Sequence, residues 1–211
     1  IKGIKKDLSL INISFDKFTY ESQIVKDDYI KKVFDILKKK DLIYEGTLEK
    51  PLGEDIDWEP RKQTLYKSKK FFDDSDRAFK KANGEWTYFA NDAAYHYEKF
   101  TRSFDKLINI WGADHIGYIK RMKSIVDSTT DKKNYLEVSI CQIVRLIKDK
   151  KLLKMSKRDD NFITLNSIYK SVGKDPLRYF MVSSKSETPM DFDMNKVIEK
   201  NKDNPVFYCQ Y

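Results

Sequence analysis

The sequence predicts an α/β fold in which parallel strands are joined by crossover helices. LINIW at 107–111 has the continuous apolar character of a buried strand, and apolar residues then recur at helical spacing over 119–126. LEVSICQIV at 136–144 again has the composition of a strand. Strand, helix and strand in this order are typical of a parallel sheet.

The elements that precede this pattern are shorter and more mixed. Apolar spacing predicts a helix over 29–37, and the three lysines that follow suit a helix C-terminus. DLIYEGTLEK at 41–50 and QTLYKSKKFF at 63–72 predict strands, and DDSD and NG predict turns. The first 86 residues therefore indicate short strands and connectors.

Helices are predicted on both sides of the strand pattern. After Trp86, one helical face is expected to carry Ala93, Tyr97, Phe100 and Phe104. Further helix starts are expected at Thr164, at Asp175-Pro176 and at Asp193, the last running through Val197 and Ile198.

Composition limits the class of protein. A chain of 211 residues with 40% hydrophobic content can bury a core, and a net charge of +8 favours a polyanionic partner such as RNA. No apolar stretch approaches the ~20 residues that span a bilayer, and the first residues lack a secretory signal. Cys141 and Cys209 form no metal or disulfide pattern, so we expect a cytoplasmic, reducing location.

WGADH at 111–115 follows the predicted strand LINIW. The carboxyl ends of parallel strands are where α/β sheets bind nucleotides. Gly112 would allow a tight turn, Asp114 could accept hydrogen bonds from ribose hydroxyls, and His115 lies beside it. From these residues alone, the more economical interpretation is that Gly112 makes a turn and Asp114 caps a helix.

A basic cluster lies in KDKKLLKMSKRDD at 148–160. Lys154, Lys157 and Arg158 surround a Met-Ser step, and cations this close favour an anion such as a nucleotide polyphosphate among them. A solvated hairpin is the alternative, since charge runs are usually exposed. The interleaved Leu152, Leu153 and Met155 favour a loop that docks over a ligand.

KMSKR resembles the lysine-loop signature of class I aminoacyl-tRNA synthetases, and nearly the whole chain resembles the arginyl-tRNA synthetases. The resemblance extends through GEWTYFANDAAYHYEKF, FDKLINIWGADHIGYIKRM, NFITLNSIYKSVGKDPLRYF and DFDMNKVIEKNKDNPVFYCQY. It implies an incomplete class I Rossmann-type parallel sheet with an inserted strand and helix segment. Residues 1–86 would be the insertion, 87–200 the second half of the nucleotide-binding domain, and 201–211 the start of the helical anticodon-binding domain.

The resemblance also implies a reaction, in which ATP and Mg²⁺ activate L-arginine to arginyl-adenylate and the arginine is transferred to tRNA(Arg). Lys154 and Lys157 would neutralise the leaving pyrophosphate, and Ser156 would hold the loop closed. ATP contacts would come from Gly112, Asp114, His115, Met155 and Arg158. The protein would work as a monomer without a membrane.

The same resemblance assigns Tyr88 and Asp92 to arginine, with Asp92 on the guanidinium and Tyr88 shaping the pocket. A carboxylate matches the planar guanidinium fork, and residues four apart share a helical face. His96, one turn further on, is left unassigned. The alternative is that Asp92 only caps the helix that carries Phe100.

Two features depart from the family pattern. His96 and His115 are the only histidines, so the His-x-Gly-His element is missing, and HIGY at 115–118 only imitates it. We therefore expect a fragment whose missing half lies upstream of Ile1, with little activity in isolation. Asp159 and Asp160 stand where the family has a small residue and glycine, which would weaken the local positive field.

Two rival functions remain at this point. Another class I synthetase would share the lysine loop but gives no reason for the spacing of Tyr88 and Asp92. A non-catalytic RNA-binding fragment would fit the positive charge and the missing histidines. Pyrophosphate exchange with different amino acids, or RNA binding without adenylate formation, would separate them.

Overall fold

A computed structural model describes residues 1–50, 59–153 and 163–211. These residues form two compact units, one of Ile1–Phe18 with Ile140–Tyr211 and the other of Thr19–Ser139. The boundary predicted after residue 86 lies inside the second unit. Within the described ranges, every helix is too short or too polar to cross a membrane.

The α-helices of the described residues are, in chain order, α1 (Lys2–Leu10), α2 (Glu21–Lys26), α3 (Tyr29–Lys39), α4 (Tyr88–Phe100), α5 (Ile119–Thr130), α6 (Leu165–Val172), α7 (Lys174–Ser183) and α8 (Pro205–Gln210). The strands are β1 (Ile43–Gly46), β2 (Gln63–Tyr66), β3 (Arg77–Lys80), β4 (Leu107–Gly112), β5 (Leu136–Cys141), β6 (Val144–Lys148), β7 (Lys151–Leu152) and β8 (Met190–Asp193). The predicted helices at 29–37, 119–126, Thr164 and Asp175 are confirmed.

The unit Thr19–Ser139 is built around an aromatic core. Strands β1, β2 and β3 form an antiparallel sheet in that order. Tyr66 and Phe79 are completely buried, and the ring of Phe89 lies about 6 Å from both, at centroid distances of 6.1 Å. Because Phe89 belongs to α4, these rings fix the helix that carries Tyr88 and Asp92 against the sheet.

Strand β4 pairs with β5, and α5 lies between them in sequence. The prediction of a continuously buried LINIW strand is wrong. Leu107 and Asn109 are buried, whereas Ile108 and Ile110 are 61% and 71% exposed. Alternate side chains point to opposite faces of a strand, and within the described residues only one face of β4 packs against the core.

LEVSICQIV is not one strand, as predicted, but two. β5 ends at Cys141 and β6 begins at Val144. The chain leaves the first ladder because the amide of Gln142 donates to the carbonyl of Ser186 at 2.7 Å. β6 then pairs in parallel with β8 and antiparallel with β7. The α/β class with a small parallel sheet is confirmed.

The unit that contains β6 and β8 has its own apolar core. Leu146, Phe192 and Leu177 are nearly inaccessible, and they join the two parallel strands to α7. Thr164 caps α6 through a reciprocal pair of hydrogen bonds with Ser167, at 3.0 and 3.1 Å.

Two residues that the sequence predicts in helices, Phe104 and Asp193, lie outside the α-helices of the structure. α4 ends at Phe100, so Phe104 lies beyond the helix and is 58% exposed. Asp193 ends β8 instead of opening a long helix, and its carboxylate accepts hydrogen bonds from the amides of Asn195 and Lys196. A single 3₁₀ turn, Lys196–Ile198, follows. QTLYKSKKFF likewise changes from strand β2 into a 3₁₀ turn, Ser68–Phe71.

Candidate functional site

The first turn of α4 places Tyr88 and Asp92 on one face. Thr87 is the N-cap of this helix, because its hydroxyl accepts a hydrogen bond from the amide of Ala90 at 3.3 Å. Asp92 is therefore not the cap, and the alternative interpretation of this residue is wrong. Tyr88 is 85% exposed, whereas Asp92 is half-buried.

Asp92 is a carboxylate with a neutral hydrogen-bond partner. The hydroxyl of Tyr118 donates to its Oδ2 at 3.0 Å. Burial raises the pKa of Asp92, the hydrogen bond from Tyr118 opposes that rise, and the negative charge of Glu21 adds to it. Among the described residues, Asp92 forms no ion pair with a lysine or arginine.

Asp92 lies between two adjoining clefts of the same unit. One cleft, of about 310 Å³, lies between α2 and α4 and is called the acidic cleft here; its lining residues are Thr19, Glu21, Ile24, Tyr88, Asn91, Asp92 and Tyr95. The other, of about 400 Å³, is called the aromatic cleft; its lining residues are Tyr88, Asp92, Tyr95, His96, Asn109, Trp111, His115 and Tyr118. Tyr88, Asp92 and Tyr95 line both.

His96 anchors the wall of the aromatic cleft. Its Nδ1 lies 2.7 Å from the carbonyl oxygen of Asp92, and its Nε2 lies 2.7 Å from Nδ2 of Asn109. Lys99 donates to Oδ1 of Asn109. Since an ammonium group only donates, Oδ1 faces Lys99 and the amide NH₂ faces His96. The ring nitrogen Nε2 is then an acceptor, and Nδ1 carries the hydrogen.

Burial keeps the His96 ring neutral. Burial lowers the pKa of His96 to about 4, so the ring carries no charge near pH 7. Burial also lowers the pKa of Lys99 to about 8. A neutral, doubly hydrogen-bonded imidazole suits a positioning role, because both nitrogens are engaged. His96 therefore joins α4 to β4, through the backbone carbonyl of Asp92 and the side chain of Asn109.

The GADH turn forms the opposite wall of the aromatic cleft. Residues Ala113–Tyr118 form a 3₁₀ turn directly after β4. A side chain at Gly112 would place its Cβ 2.5 Å from Oδ1 of Asp114, a contact that the exposed Asp114 side chain could relieve by moving. His115 faces the cleft, with its ring 6.2 Å from that of Trp111.

Asp114 is placed differently from His115. Its side chain is 79% exposed, and it lies 3.5 Å from Nε2 of His115. It caps no helix among the described residues, because the residue before α5 is Tyr118 and the 3₁₀ turn is preceded by Gly112. Asp114 is not among the residues that line the aromatic cleft.

The predicted phosphate loop lies outside the described residues. This applies to Lys154, Met155, Ser156, Lys157 and Arg158, and also to the two aspartates that follow them. Their roles, and their distance from Asp92, remain predictions. The described structure brings together the predicted arginine residues Tyr88 and Asp92 and the predicted nucleotide residue His115.

Sequence reasoning missed two side chains at Asp92. Glu21 belongs to the six-residue helix α2, which is too short to show a periodic pattern. Tyr118 is the last residue of the HIGY segment, which the sequence analysis considers only as an imitation of the phosphate-binding element, and its hydroxyl donates to Asp92. Both reach the site through the tertiary fold.

Comparison with known proteins places this geometry in a family. The model of the tRNA synthetases class I (I, L, M and V) matches residues 82–193, which include α4, β4, the GADH turn and β8. The chain belongs to the class I tRNA synthetases. This class I segment holds Tyr88, Asp92 and His115, and it also includes the KMSKR sequence.

Individual relatives of this class I chain are arginyl enzymes. It is 47% identical to the arginine–tRNA ligase of Ehrlichia ruminantium over 212 aligned positions, which cover 100% of the chain and 37% of the relative. A solved structure described as an arginyl-tRNA synthetase of Campylobacter jejuni matches with a TM-score of 0.82 and 33% identity, covering 99% of this chain and 42% of that one.

The likeness also holds where the sequences have diverged. The Thermus thermophilus arginyl-tRNA synthetase matches with a TM-score of 0.76 at 12% identity, covering 98% of this chain and 42% of that one. At this identity the match is evidence for the fold alone. The resemblance to the arginyl-tRNA synthetases that the motifs indicate is thus confirmed, and the chain spans a little over a third of the curated relatives.

Proposed function

We propose that this chain is a catalytic-region segment of an arginine–tRNA ligase. The enzyme would activate L-arginine with ATP to arginyl-adenylate and pyrophosphate, and would then transfer the arginine to tRNA(Arg). The observation that carries the proposal is Asp92, which is half-buried, has no described cationic partner and lines two clefts with Tyr88. In this proposal, the guanidinium of arginine supplies the missing cation.

The physical case for a guanidinium rests on its shape and charge. Removing a carboxylate from water costs free energy that a bound cation recovers, and a guanidinium can bind both carboxylate oxygens through parallel N–H groups. Among the described residues, the hydrogen bond that Tyr118 donates to Asp92 is to Oδ2. Tyr88 and Tyr95 offer ring faces on which a guanidinium stacks.

The nucleotide is proposed to lie at the GADH turn. His115 shares the aromatic cleft with Asp92, so an adenylate there would place its acyl end near the arginine residues. Gly112 would bring the backbone close to the nucleotide, and Asp114 would bind ribose hydroxyls. Met155 and Arg158 would complete the ATP contacts from the lysine loop.

Lys154 and Lys157 are proposed to neutralise the pyrophosphate that leaves when the arginine carboxylate attacks the α-phosphate. Ser156 would hold the loop closed. Mg²⁺ would enter with ATP as part of the substrate and would supply positive charge to its phosphates. The net charge of +8 is favourable for the approach of tRNA(Arg). We propose a monomer acting in the cytoplasm, where its substrates are available.

The test of the activity is arginine-dependent ATP–pyrophosphate exchange, measured with tRNA on the complete polypeptide that carries this sequence. Lys157→Ala should reduce the exchange rate roughly a hundred-fold, about 3 kcal/mol of transition-state stabilisation, and leave arginine affinity nearly unchanged. Lys62→Ala, on a surface lysine outside the lysine loop, is the matched control and should have no effect.

Three results would contradict this proposal. An unchanged exchange rate in Lys157→Ala would remove the lysine from the chemistry. Exchange that responds to another amino acid but not to arginine would favour a different class I synthetase, and salt-dependent RNA binding without any exchange would favour the RNA-binding alternative. For the 211-residue chain alone, we propose that exchange is negligible.

A further inference from the structure

We propose that His96 and Asn109 form a positioning pair that fixes the arginine residues relative to the nucleotide turn, with Lys99 holding the Asn109 amide in its orientation. This inference rests on the proposed function. The two residues would act on the reaction through others, because their side chains are largely enclosed, with His96 5% and Asn109 6% exposed. From the sequence, His96 has no assigned role; in the structure it lies between two elements of the site.

The pair joins the two elements that carry the proposed ligand residues. Helix α4 presents Tyr88 and Asp92 on its first two turns, and strand β4 leads directly into the GADH turn. His96 bridges these elements, because its ring lies 2.7 Å from the carbonyl oxygen of Asp92 and 2.7 Å from the side-chain nitrogen of Asn109. Asn109 comes three residues before Gly112, so a displacement of β4 relative to α4 would also move the turn.

The bridge depends on which way the Asn109 amide faces. Its nitrogen donates to His96, and its oxygen accepts from Lys99 on the next turn of α4. If the amide were rotated by half a turn, its oxygen would face His96, and Nε2 would have to carry the ring hydrogen. Nδ1 would then present a lone pair to the carbonyl oxygen of Asp92, and two acceptors repel each other. Lys99 excludes that arrangement because an ammonium group only donates.

Lys99 is costly to keep in this place. Its side chain is half-buried, and among the described residues it forms no ion pair; it contacts the Asn109 amide and the ring of Tyr95, whose centroid lies 5.1 Å from Nζ. Burial lowers the pKa of Lys99 to about 8, so the fold does not fully compensate the charge. Apolar residues of similar volume at positions 99 and 109 would avoid this cost. The stability of the fold alone therefore does not explain the lysine.

The proposed reaction needs the two halves of the site at a fixed separation. The arginine carboxylate attacks the α-phosphate in line, with the amino acid held from α4 and the nucleotide held at the GADH turn. A misplacement of about 1 Å can slow such a step about a hundred-fold. Each substrate alone binds to its own half of the site, so its affinity should be spared. A hydrogen-bonded bridge between α4 and β4 would set the separation without contacting the reacting atoms.

The test compares substitutions that keep or remove single hydrogen bonds of the bridge, in the complete polypeptide that carries this sequence. His96→Gln keeps an acceptor for the Asn109 amide, whereas His96→Leu removes it. We expect His96→Leu to lower the maximal rate of arginine-dependent ATP–pyrophosphate exchange, measured with tRNA, on the order of a hundred-fold, and His96→Gln to recover most of that loss. The KM values for arginine and ATP, and the calorimetric affinity for arginine alone, should stay within about two-fold of the parent values.

Lys99→Met and Lys99→Gln form a second matched pair, since both remove the charge but only glutamine can donate to Asn109. Lys99→Met should lower the exchange rate roughly ten-fold, the size of one hydrogen bond, and Lys99→Gln should stay near the parent rate. Ser128→Ala is the control for a buried hydrogen bond that lines neither cleft, because Ser128 accepts from the hydroxyl of Tyr66 at 2.9 Å. It should lower the melting temperature but not the rate.

The outcomes separate this inference from the proposed function. If the parent polypeptide supports no arginine-dependent exchange, the proposed function fails and the positioning pair fails with it. If the parent exchanges and His96→Leu is equally fast, the pair alone is wrong. A rate and an arginine affinity that fall together, or a His96→Gln variant as slow as His96→Leu, would also overturn it, because a general distortion of the cleft would then explain the loss. If His96→Leu does not fold, equal rates in Lys99→Met and Lys99→Gln would contradict the proposal.

Discussion

Asp73 and Asp92 belong to the same compact unit. Asp73 is buried and Asp92 is half-buried, and the fold gives the two carboxylates different partners. Asp73 is bound by Arg77 through two hydrogen bonds, from Nε at 2.7 Å and Nη2 at 2.6 Å, and it also accepts from the hydroxyl of Ser68 at 2.7 Å. Among the described residues, the side chain of Asp92 accepts one hydrogen bond, from the Tyr118 hydroxyl. One carboxylate has its cation within the fold, and the other has none among the described residues.

The pKa shifts of the two aspartates have opposite directions for this reason. Burial acts to raise the pKa of Asp73, but the hydrogen bonds from Arg77 and Ser68 outweigh it, so the pKa is lowered overall. Burial raises the pKa of Asp92, and one hydroxyl does not offset it. The comparison teaches that a buried acid with a complete set of partners stabilises the fold, whereas one with an incomplete set is available to a ligand.

The largest effect on stability is expected for Asp73, the aspartate that forms an ion pair with an arginine. Asp73→Asn should lower the free energy of unfolding by about 3–5 kcal/mol, because it leaves a largely buried arginine without its counter-charge. Urea unfolding of the variant and the parent polypeptide measures this difference. A loss below about 1 kcal/mol would show that the pair is not structural.

Acid should reduce the effect of Asp73→Asn. The folded pKa of Asp73 is lowered, so its stabilisation is present above the unfolded value, near about 3.9, and is lost as the pH falls through the folded pKa. The difference between variant and parent should therefore be full near neutral pH and decrease below about pH 4. A constant difference would contradict the assignment.

A smaller effect is expected at the neutral partner of Asp92. Tyr118→Phe removes the hydroxyl that orients the carboxylate, and should weaken arginine binding roughly five- to ten-fold, the size of one ordinary hydrogen bond. The same hydrogen bond opposes the rise in the pKa of Asp92, so its loss moves the acid limb of binding to higher pH. An acid limb that stays in place or moves to lower pH in Tyr118→Phe would contradict the assignment.

The smallest expected change is in the stability of Asp92→Asn. Oδ1 of an asparagine can still accept the Tyr118 hydrogen bond, and no described ion pair is lost. The free energy of unfolding should stay within about 1 kcal/mol of the parent value near neutral pH. A loss as large as that of Asp73→Asn would show that Asp92 has a structural partner and would remove the contrast between the two aspartates.

The sequence predicts the elements whose signal is local. α3, α4 and α5 follow from apolar residues at helical spacing, and Thr164 marks the start of α6 through its own side chain. The exposure of Ile108 and Ile110 could not be predicted, because isoleucine in a strand has the same pattern whether or not its outer face is covered. The break between β5 and β6 depends on a hydrogen bond to Ser186, far along the chain.

The candidate site shows the same limit. The spacing of Tyr88 and Asp92 predicts a shared face, and WGADH predicts a turn after a strand; the fold then brings Asp92 and His115 to one cleft. Glu21 and Tyr118 escape local reasoning because their partners are remote. Tyr118 contacts a residue 26 positions away, and Glu21 contacts Asn91 at a separation of 70. Such proximity is a property of the packed structure.

The most direct test of the account is the affinity of the complete polypeptide and its Asp92→Asn variant for L-arginine, with L-citrulline as the uncharged comparison. If Asp92 binds the guanidinium of arginine, the parent polypeptide should bind arginine far more tightly than citrulline. The Asp92→Asn variant should then lose on the order of a hundred-fold in arginine affinity, while its affinity for citrulline hardly changes. Retention of full arginine affinity by the folded Asp92→Asn variant would contradict the central claim.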